Sequence, residues 1–293
     1  MLLSKERVTV YESILHLSRE YPVRAICRAL NVGKSAYYEW FNRKDDKEAI
    51  LIKKLMDILE IYRDSHGIYG APKIREKLVD RGYKIAVRTV SKYMRILGIK
   101  SVSKAYFPKK QTKLSESEKK LMINLIKEFP LTGINQIWTT DITYIKTETE
   151  GTFYLITFID LYSKKVVGWK LGRDMKTETI IEALKMAIHQ RKPDPGLIIH
   201  SDKGGQFRSF SYKKELSRYG VIPSYTSVNH SSDENAAQES WHASLKKEWL
   251  SIRKIYTYKD GVDIIGSYIK FYNTERIHQS LGYKTPVEFE NHL

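Results

Sequence analysis

The sequence predicts an α/β domain built on a mixed sheet and preceded by an all-α segment. Two observations carry that expectation. From about residue 131 the apolar spacing changes from helical to strand-like, with three β-rich runs in succession and then alternating helix and strand. Before that point, short apolar helical stretches are separated by Asn, Gly and Pro turn signals.

Pro22 opens a helix with Ile26, Ala29 and Leu30 on one face, Asn31-Val32-Gly33 turns the chain, and Ser35 reads as the cap of a helix carrying Tyr37, Tyr38, Trp40 and Phe41. A second pair follows Tyr69-Gly70: Ala71 to Asp80, a turn at Arg81-Gly82-Tyr83, then Val87 to Leu97 closing at Gly98. Both pairs have helix-turn-helix form, and Arg88, Lys92 and Arg95 share one polar side of the last helix. Residues 99–117 mix Lys100, Lys104, Lys109, Lys110 and Lys113 with Ser and Pro and show no apolar period, the mark of a basic linker. Strands are then expected over Ile137 to Thr147, Phe153 to Leu161 and Lys164 to Leu171. A helix over Lys176 to Gln190, a strand over Leu197 to His200, a helix over Tyr212 to Tyr219 and a strand over Val221 to Tyr225 follow. Further on, Trp241, Leu245, Trp249 and Ile252 have the spacing of a buried helical stripe. Thr285-Pro286-Val287-Glu288 reads as a capping box. The expected domains are two helical modules at 1–48 and 49–98, a basic linker at 99–130, a core at 131–254 and a helical extension at 255–293.

The formal net charge of +16 is unevenly placed: residues 1–130 hold 28 Lys+Arg against 15 Asp+Glu, and residues 131–293 hold 22 against 19. A surplus concentrated in one half attracts phosphate by counterion release and marks that half as the DNA-gripping part. The single cysteine, Cys27, cannot form an internal disulfide, no run approaches the roughly 18 apolar residues of a membrane span, and the first residues lack a signal-peptide pattern. These features lead to the expectation of a reducing cytoplasm and no membrane partner.

Three carboxylates stand out. Asp141 lies in the aromatic and β-branched strand Trp138 to Ile145, Asp202 follows the apolar run Gly196 to Ile199 and precedes a Gly-Gly turn, and Glu239 is expected two turns into a helix. Three acidic oxygen donors converging on one point suit magnesium or manganese, hard cations that prefer carboxylates. Two such ions on the order of 4 Å apart serve in-line phosphoryl displacement. Helical spacing puts Asn235, Ala243 and Lys246 on the face of Glu239, so Lys246 reads either as the holder of a terminal phosphate or as a surface lysine of an exposed helix, with Lys247 about 100 degrees away and solvated. Asp233 and Glu234 compete with Glu239 but fit better as first-turn residues capped by Ser231. Asp160 invites a fourth-carboxylate reading that its neighbours do not support. Asn273, Arg276 and His278 sit between two elements, open to DNA contact or local hydrogen bonding.

Four segments in order, Trp138-Thr139-Thr140-Asp141-Ile142-Thr143, His200-Ser201-Asp202-Lys203-Gly204, Asn235-Ala236-Ala237-Gln238-Glu239-Ser240 and the late block from Phe271 through Pro286, give the chain a family likeness. It resembles the second-frame (OrfB) transposases of the insertion sequence three family, and the likeness runs through most of the chain. The resemblance implies a ribonuclease-H-like sheet with flanking helices, Asp141, Asp202 and Glu239 as catalytic metal ligands, and metal-dependent DNA cleavage and strand transfer. It also implies two Mg2+ (or Mn2+) ions, element ends and target duplex as partners, an upstream-frame OrfA product or fusion, and a homo-oligomer on DNA in a bacterial cytoplasm. The spacing departs slightly: residues 203–238 separate Asp202 from Glu239, one more than the family's usual interval. A non-catalytic DNA-binding regulator and a nuclease that cuts without joining are the alternative readings.

Overall fold

The computed structural model describes residues 5–102, 124–126, 129–226 and 235–293. Its contacts divide the chain into two compact units, Met1–Lys100 and Ser101–Leu293.

The first unit is helical. Tyr11 and Ile14 of α1 (Lys5–Leu17), Ile26 and Cys27 of α2 (Val23–Ala29) and Tyr37 of α3 (Lys34–Asp64) form one buried cluster. Ala29 and Leu30 are exposed, against expectation, because α2 is short and Ile26 and Cys27 define its buried side. Gly33, rather than Ser35, occupies the N-cap of α3. That helix then continues for 31 residues through the expected 48/49 boundary, since no Gly or Pro interrupts the segment. Its far half supplies Ile58 and Ile61, buried like Ile74 and Leu78 of α4 (Ala71–Asp80) and Val90 and Met94 of α5 (Val87–Ile96). Both helix pairs therefore share α3. The turn between α4 and α5 is tied to it: Arg81 Nη1 donates to Glu60 at 2.9 Å, and the Tyr83 hydroxyl donates to Asp57.

The second unit is built on a five-stranded sheet of β1 (Ile137–Lys146), β2 (Thr152–Asp160), β3 (Val166–Gly172), β4 (Ile198–Ser201) and β5 (Ile222–Tyr225), in the order β3-β2-β1-β4-β5. The first three strands run antiparallel, and β4 and β5 run parallel to β1. A parallel neighbour requires a crossover, and α6 (Thr177–Arg191) supplies the one between β3 and β4. It packs so closely on β3 that a Cβ at Gly168 would lie 2.6 Å from the Ala187 Cβ and 2.7 Å from the Ala183 carbonyl oxygen. One sheet face is apolar: Ile156, Phe158 and Val167 meet Ile180, Ala183, Leu184 and Ala187 of α6, and Leu216 of α8 (Phe210–Arg218). A short helix, α7 (Gly205–Arg208), precedes α8 and is absent from the sequence reading.

The other face is covered by α9 (Ala236–Ser244), a π-helical segment Leu245–Trp249, a 3-10 turn Leu250–Ile252 and α10 (Tyr258–Thr274). Trp241, Leu245 and Trp249 are buried as their spacing predicts, and the two tryptophans join Tyr268 and Phe271 in an aromatic layer. Ile252 is 57 % exposed. The π turn widens the helix and the 3-10 turn tightens it, so the 100-degree step no longer holds and Ile252 rotates out of the stripe. The chain closes with α11 (Pro286–Glu290), whose capping box forms as read: the Glu288 N–H donates to Thr285 Oγ1 at 3.1 Å and the Thr285 N–H to Glu288 Oε2 at 2.8 Å. No helix among the described residues is long and apolar enough to cross a membrane.

Candidate active site

Side chains alternate along a strand, so Thr139, Asp141 and Thr143 point to one face of β1. That face is the one covered by α9, because Thr157, the residue directly opposite Asp141 on β2, donates its hydroxyl to Gln238 Oε1 at 2.9 Å. The parallel pairing of β1 with β4 runs Ile137 to Ile198, Trp138 to Ile199 and Thr139 to His200. The same register leads from Asp141 toward Asp202, which follows the last residue of β4, a strand about 4.8 Å from β1. Asp202 is exposed just beyond the end of β4, and its Oδ1 accepts the Gly204 N–H at 2.9 Å. A Cβ at Gly204 would stand 2.9 Å from that same oxygen, so the tight return of the chain past the carboxylate suits glycine.

Glu239 is exposed and lies in the first turn of α9, not two turns into a helix, because the helix begins at Ala236 with Asn235 at the N-cap. A carboxylate there is favoured by the positive end of the helix dipole. The expected cap Ser231 and the competitors Asp233 and Glu234 fall outside the described residues.

The seam between α9 and β1 is a row of polar contacts that the sequence reading missed. Gln238, wholly buried, donates through Nε2 to the carbonyls of Thr139 at 2.7 Å and Thr157 at 3.2 Å. One turn on, the buried His242 Nδ1 stands 3.6 Å from Asp141 Oδ2. A further turn on, Lys246 Nζ donates to Thr143 Oγ1 at 2.7 Å. Helix steps of four residues rise about 6 Å and strand steps of two residues about 6.6 Å, so the two ladders stay in phase. The signal was present as Gln238, His242 and Lys246 at i, i+4 and i+8, beside the more conspicuous aromatic stripe.

The remaining sequence-predicted residues separate by place. Arg88, Lys92 and Arg95 are exposed on α5, opposite its buried Val90 and Met94. Lys109 and Lys110 lie outside the described residues. Asn235 is half-buried at the α9 N-cap, and its side-chain oxygen is buried with no hydrogen-bond partner among the described residues. Lys247 is half-buried, not fully solvated. Asp160 is fully buried and accepts the backbone N–H groups of Asn135, Tyr162 and Ser163 at 2.6, 2.9 and 3.0 Å, a structural corner at the far end of β2. The late motif is also architecture. Asn273 brackets Val166 of β3, accepting its N–H at 3.0 Å and donating to its carbonyl at 2.9 Å. Arg276 grips Glu248 of the π segment through two bonds of 2.7 and 2.6 Å and lies against His278. Burial opposes the charged guanidinium, but the paired Glu248 carboxylate outweighs it and raises the Arg276 pKa.

The sheet order, the parallel β1–β4 register and the helix laid across β1 define the class: a ribonuclease-H-like integrase core. A family model described as "Integrase core domain" matches residues 132–231, another of the same description matches 219–286, and one described as "HTH-like domain" matches 46–106. The transposase for insertion sequence element IS904 of Lactococcus lactis is 32% identical over 257 residues, covering 86% of this chain and 99% of that protein. Transposase InsF for insertion sequence IS3A of Escherichia coli is 32% identical over 280 residues, covering 93% of this chain and 95% of that protein. Among solved structures, the HTLV-2 integrase catalytic core domain in complex with magnesium (trimeric form) aligns with a TM-score of 0.43 and 19% identity, over 53% of this chain and 96% of that one. The chain belongs to the IS3 family of insertion-sequence transposases, and it is an integrase-type transposase.

Proposed function

We propose that Asp141, Asp202 and Glu239 are the catalytic carboxylates of DNA strand cleavage and strand transfer at the ends of an insertion sequence. The observation that carries this reading is the meeting of β1, β4 and α9: Asp141 on β1, Asp202 just past the end of the parallel neighbour β4, and the helix of Glu239 clamped over the same face of β1. Among the described residues, no group of three or more His, Cys, Asp or Glu side chains is gathered closely enough to hold a metal ion. Magnesium does not require such a cage, since it is usually held by one or two carboxylates and completes its shell with water and substrate phosphate oxygens. The all-carboxylate donor set fits Mg2+ or Mn2+, and Asp141, Asp202 and Glu239 are the residues that would hold two such ions. Such ions, when bound, activate the attacking oxygen and stabilise the leaving oxygen of an in-line displacement.

The chain's own part is positioning and exclusion. β1 carries Asp141, the Gly204 N–H steadies the Asp202 carboxylate just past β4, and the buried aromatic layer beneath α9 holds the third. Arg88, Lys92 and Arg95 grip duplex phosphates, with the basic residues Lys109 and Lys110 following, and Lys246 and Asn235 border the reacting end. The partners are element ends and target duplex, with an oligomer of this chain assembled on DNA and an upstream-frame OrfA product or fusion. Asp141→Asn, Asp202→Asn and Glu239→Gln are each expected to abolish cleavage and joining while leaving DNA affinity intact. Near-normal cleavage by Glu239→Gln together with loss in Glu234→Gln would move the third carboxylate and overturn the assignment.

A further inference from the structure

Glu239 is exposed, and its carboxylate makes no hydrogen bond or ion pair among the described residues. Its place is therefore set by the helix that carries it. The preceding residue, Gln238, is where that helix is fastened, and its three bonds straddle Asp141: Thr139 lies two residues earlier on the same strand face, and Thr157 lies directly opposite across β1–β2.

We propose that Gln238 is a positioning residue, whose buried side-chain amide fixes the height and rotation of α9 on the sheet and thereby sets where Glu239 stands relative to Asp141. The inference rests on the reading of Asp141 and Glu239 as metal-binding carboxylates. Its chemical basis is that the site needs a donor and an acceptor on one side chain. The amide N–H groups meet two main-chain carbonyls, which a carboxylate in its place would repel, and the amide oxygen meets a hydroxyl that an apolar group would strand. Packing alone is served by apolar residues, as Trp241 and Leu245 on the adjacent stripe show. A satisfied buried amide adds directionality: it permits one rotation of the helix, with His242 over Asp141, Lys246 over Thr143 and Glu239 turned about 100 degrees to the open side.

The test uses the full chain, Mn2+ alone as the probe, and two variants: Gln238→Met, of matching length, and the double variant Gln238→Met/Thr157→Val. Mn2+ binding is followed by the electron paramagnetic resonance signal of the free ion, well below each variant's Tm. Gln238→Met is expected to lower Tm and to raise the Mn2+ half-saturation roughly 10-fold or more, the scale seen when a group that orients a metal ligand is removed. In the double variant the Thr157 hydroxyl is no longer stranded, so Tm recovers in part while Mn2+ binding stays weak. Half-saturation unchanged in Gln238→Met, or restored along with Tm in the double variant, would show that Gln238 only packs. Asp141→Asn is the control for the underlying assignment: if it leaves Mn2+ binding intact, the carboxylate reading fails, whatever Gln238 does.

Discussion

The two faces of the sheet are built differently. On the α6 face, Ile180, Ala183, Leu184 and Ala187 meet Ile156, Phe158 and Val167, an apolar contact with nothing to aim. On the α9 face, wholly buried Gln238 and Thr157 and nearly buried Thr139, Thr143 and His242 share the interface with an aromatic layer. Burying polar groups costs free energy unless each is bonded, and it yields direction in return. The first face stabilises the fold by area alone, whereas the second holds side chains at defined angles, and the candidate site lies along that second face.

The contrast can be broken by substitution. The largest effect is expected from Asp141→Asn, a loss in cleavage rate on the order of 10^3-fold or more with little change in Tm, read from strand-cleavage kinetics beside thermal unfolding. On the opposite face, Leu184→Ala should do the reverse. Unfolding in denaturant should show about 2–5 kcal/mol of lost stability, with cleavage per folded molecule unchanged. A selective loss of rate in Leu184→Ala would mean that the apolar face also aims the site.

Glu290 sharpens the comparison from a third place. It receives Arg191 Nη1 and Nη2 at 2.8 Å each, Lys165 Nζ at 2.6 Å and the Ser163 hydroxyl at 2.8 Å, tying α11 to α6 and the β2–β3 turn. Burial pushes the carboxyl pKa up, but the bonds from Arg191, Lys165 and Ser163 prevail and hold it below the usual value. Because the folded pKa is lowered, this stabilisation is complete above the unfolded value near 4.3 and fades as pH falls through the folded value. Glu290→Gln should cost about 3 kcal/mol at neutral pH, and its gap to the parent should close only below about pH 4 in urea titrations. A gap independent of pH down to pH 2 would remove the ionic explanation. The smallest effect concerns Lys246→Ala, which should slow end processing several-fold more than Lys247→Ala at equal DNA affinity, since Lys246 is held on β1 through Thr143, on the strand face of Asp141. Equal effects would reduce the contact to net charge.

Much of this architecture was legible beforehand. The three antiparallel strands, the crossover helix and the two short parallel strands fall within a residue or two of their periodicity, because β-branched alternation and Gly turns are local signals. The Trp241, Leu245 and Trp249 stripe was equally plain, and it failed only at Ile252, where the backbone left α geometry. The continuity of α3 was missed because helix-turn-helix spacing suggested a module break that no Gly or Pro marks. For the site, motif order pointed to Asp141, Asp202 and Glu239, whereas the four-residue spacing of Gln238, His242 and Lys246 had no meaning on its own. Their meaning depends on which face of β1 meets which side of α9, a tertiary fact that no local pattern carries. Arg276 and Asn273 were ambiguous for the same reason, since Glu248 and Val166, which engage them, are distant in sequence.

The central claim is that Asp141, Asp202 and Glu239 surround one metal-binding point on the α9 face. Iron-directed cleavage of the polypeptide tests it without relying on transposition: Fe2+ replaces Mg2+ in the DNA-bound chain, peroxide is added, and the backbone cuts are mapped by mass spectrometry. The account predicts cuts in three clusters, at residues 139–143, 201–204 and 238–242, suppressed by excess Mg2+ and absent in Asp141→Asn. Cuts centred on residues 233–234 in place of the third cluster, or a pattern indifferent to Asp141→Asn, would contradict it.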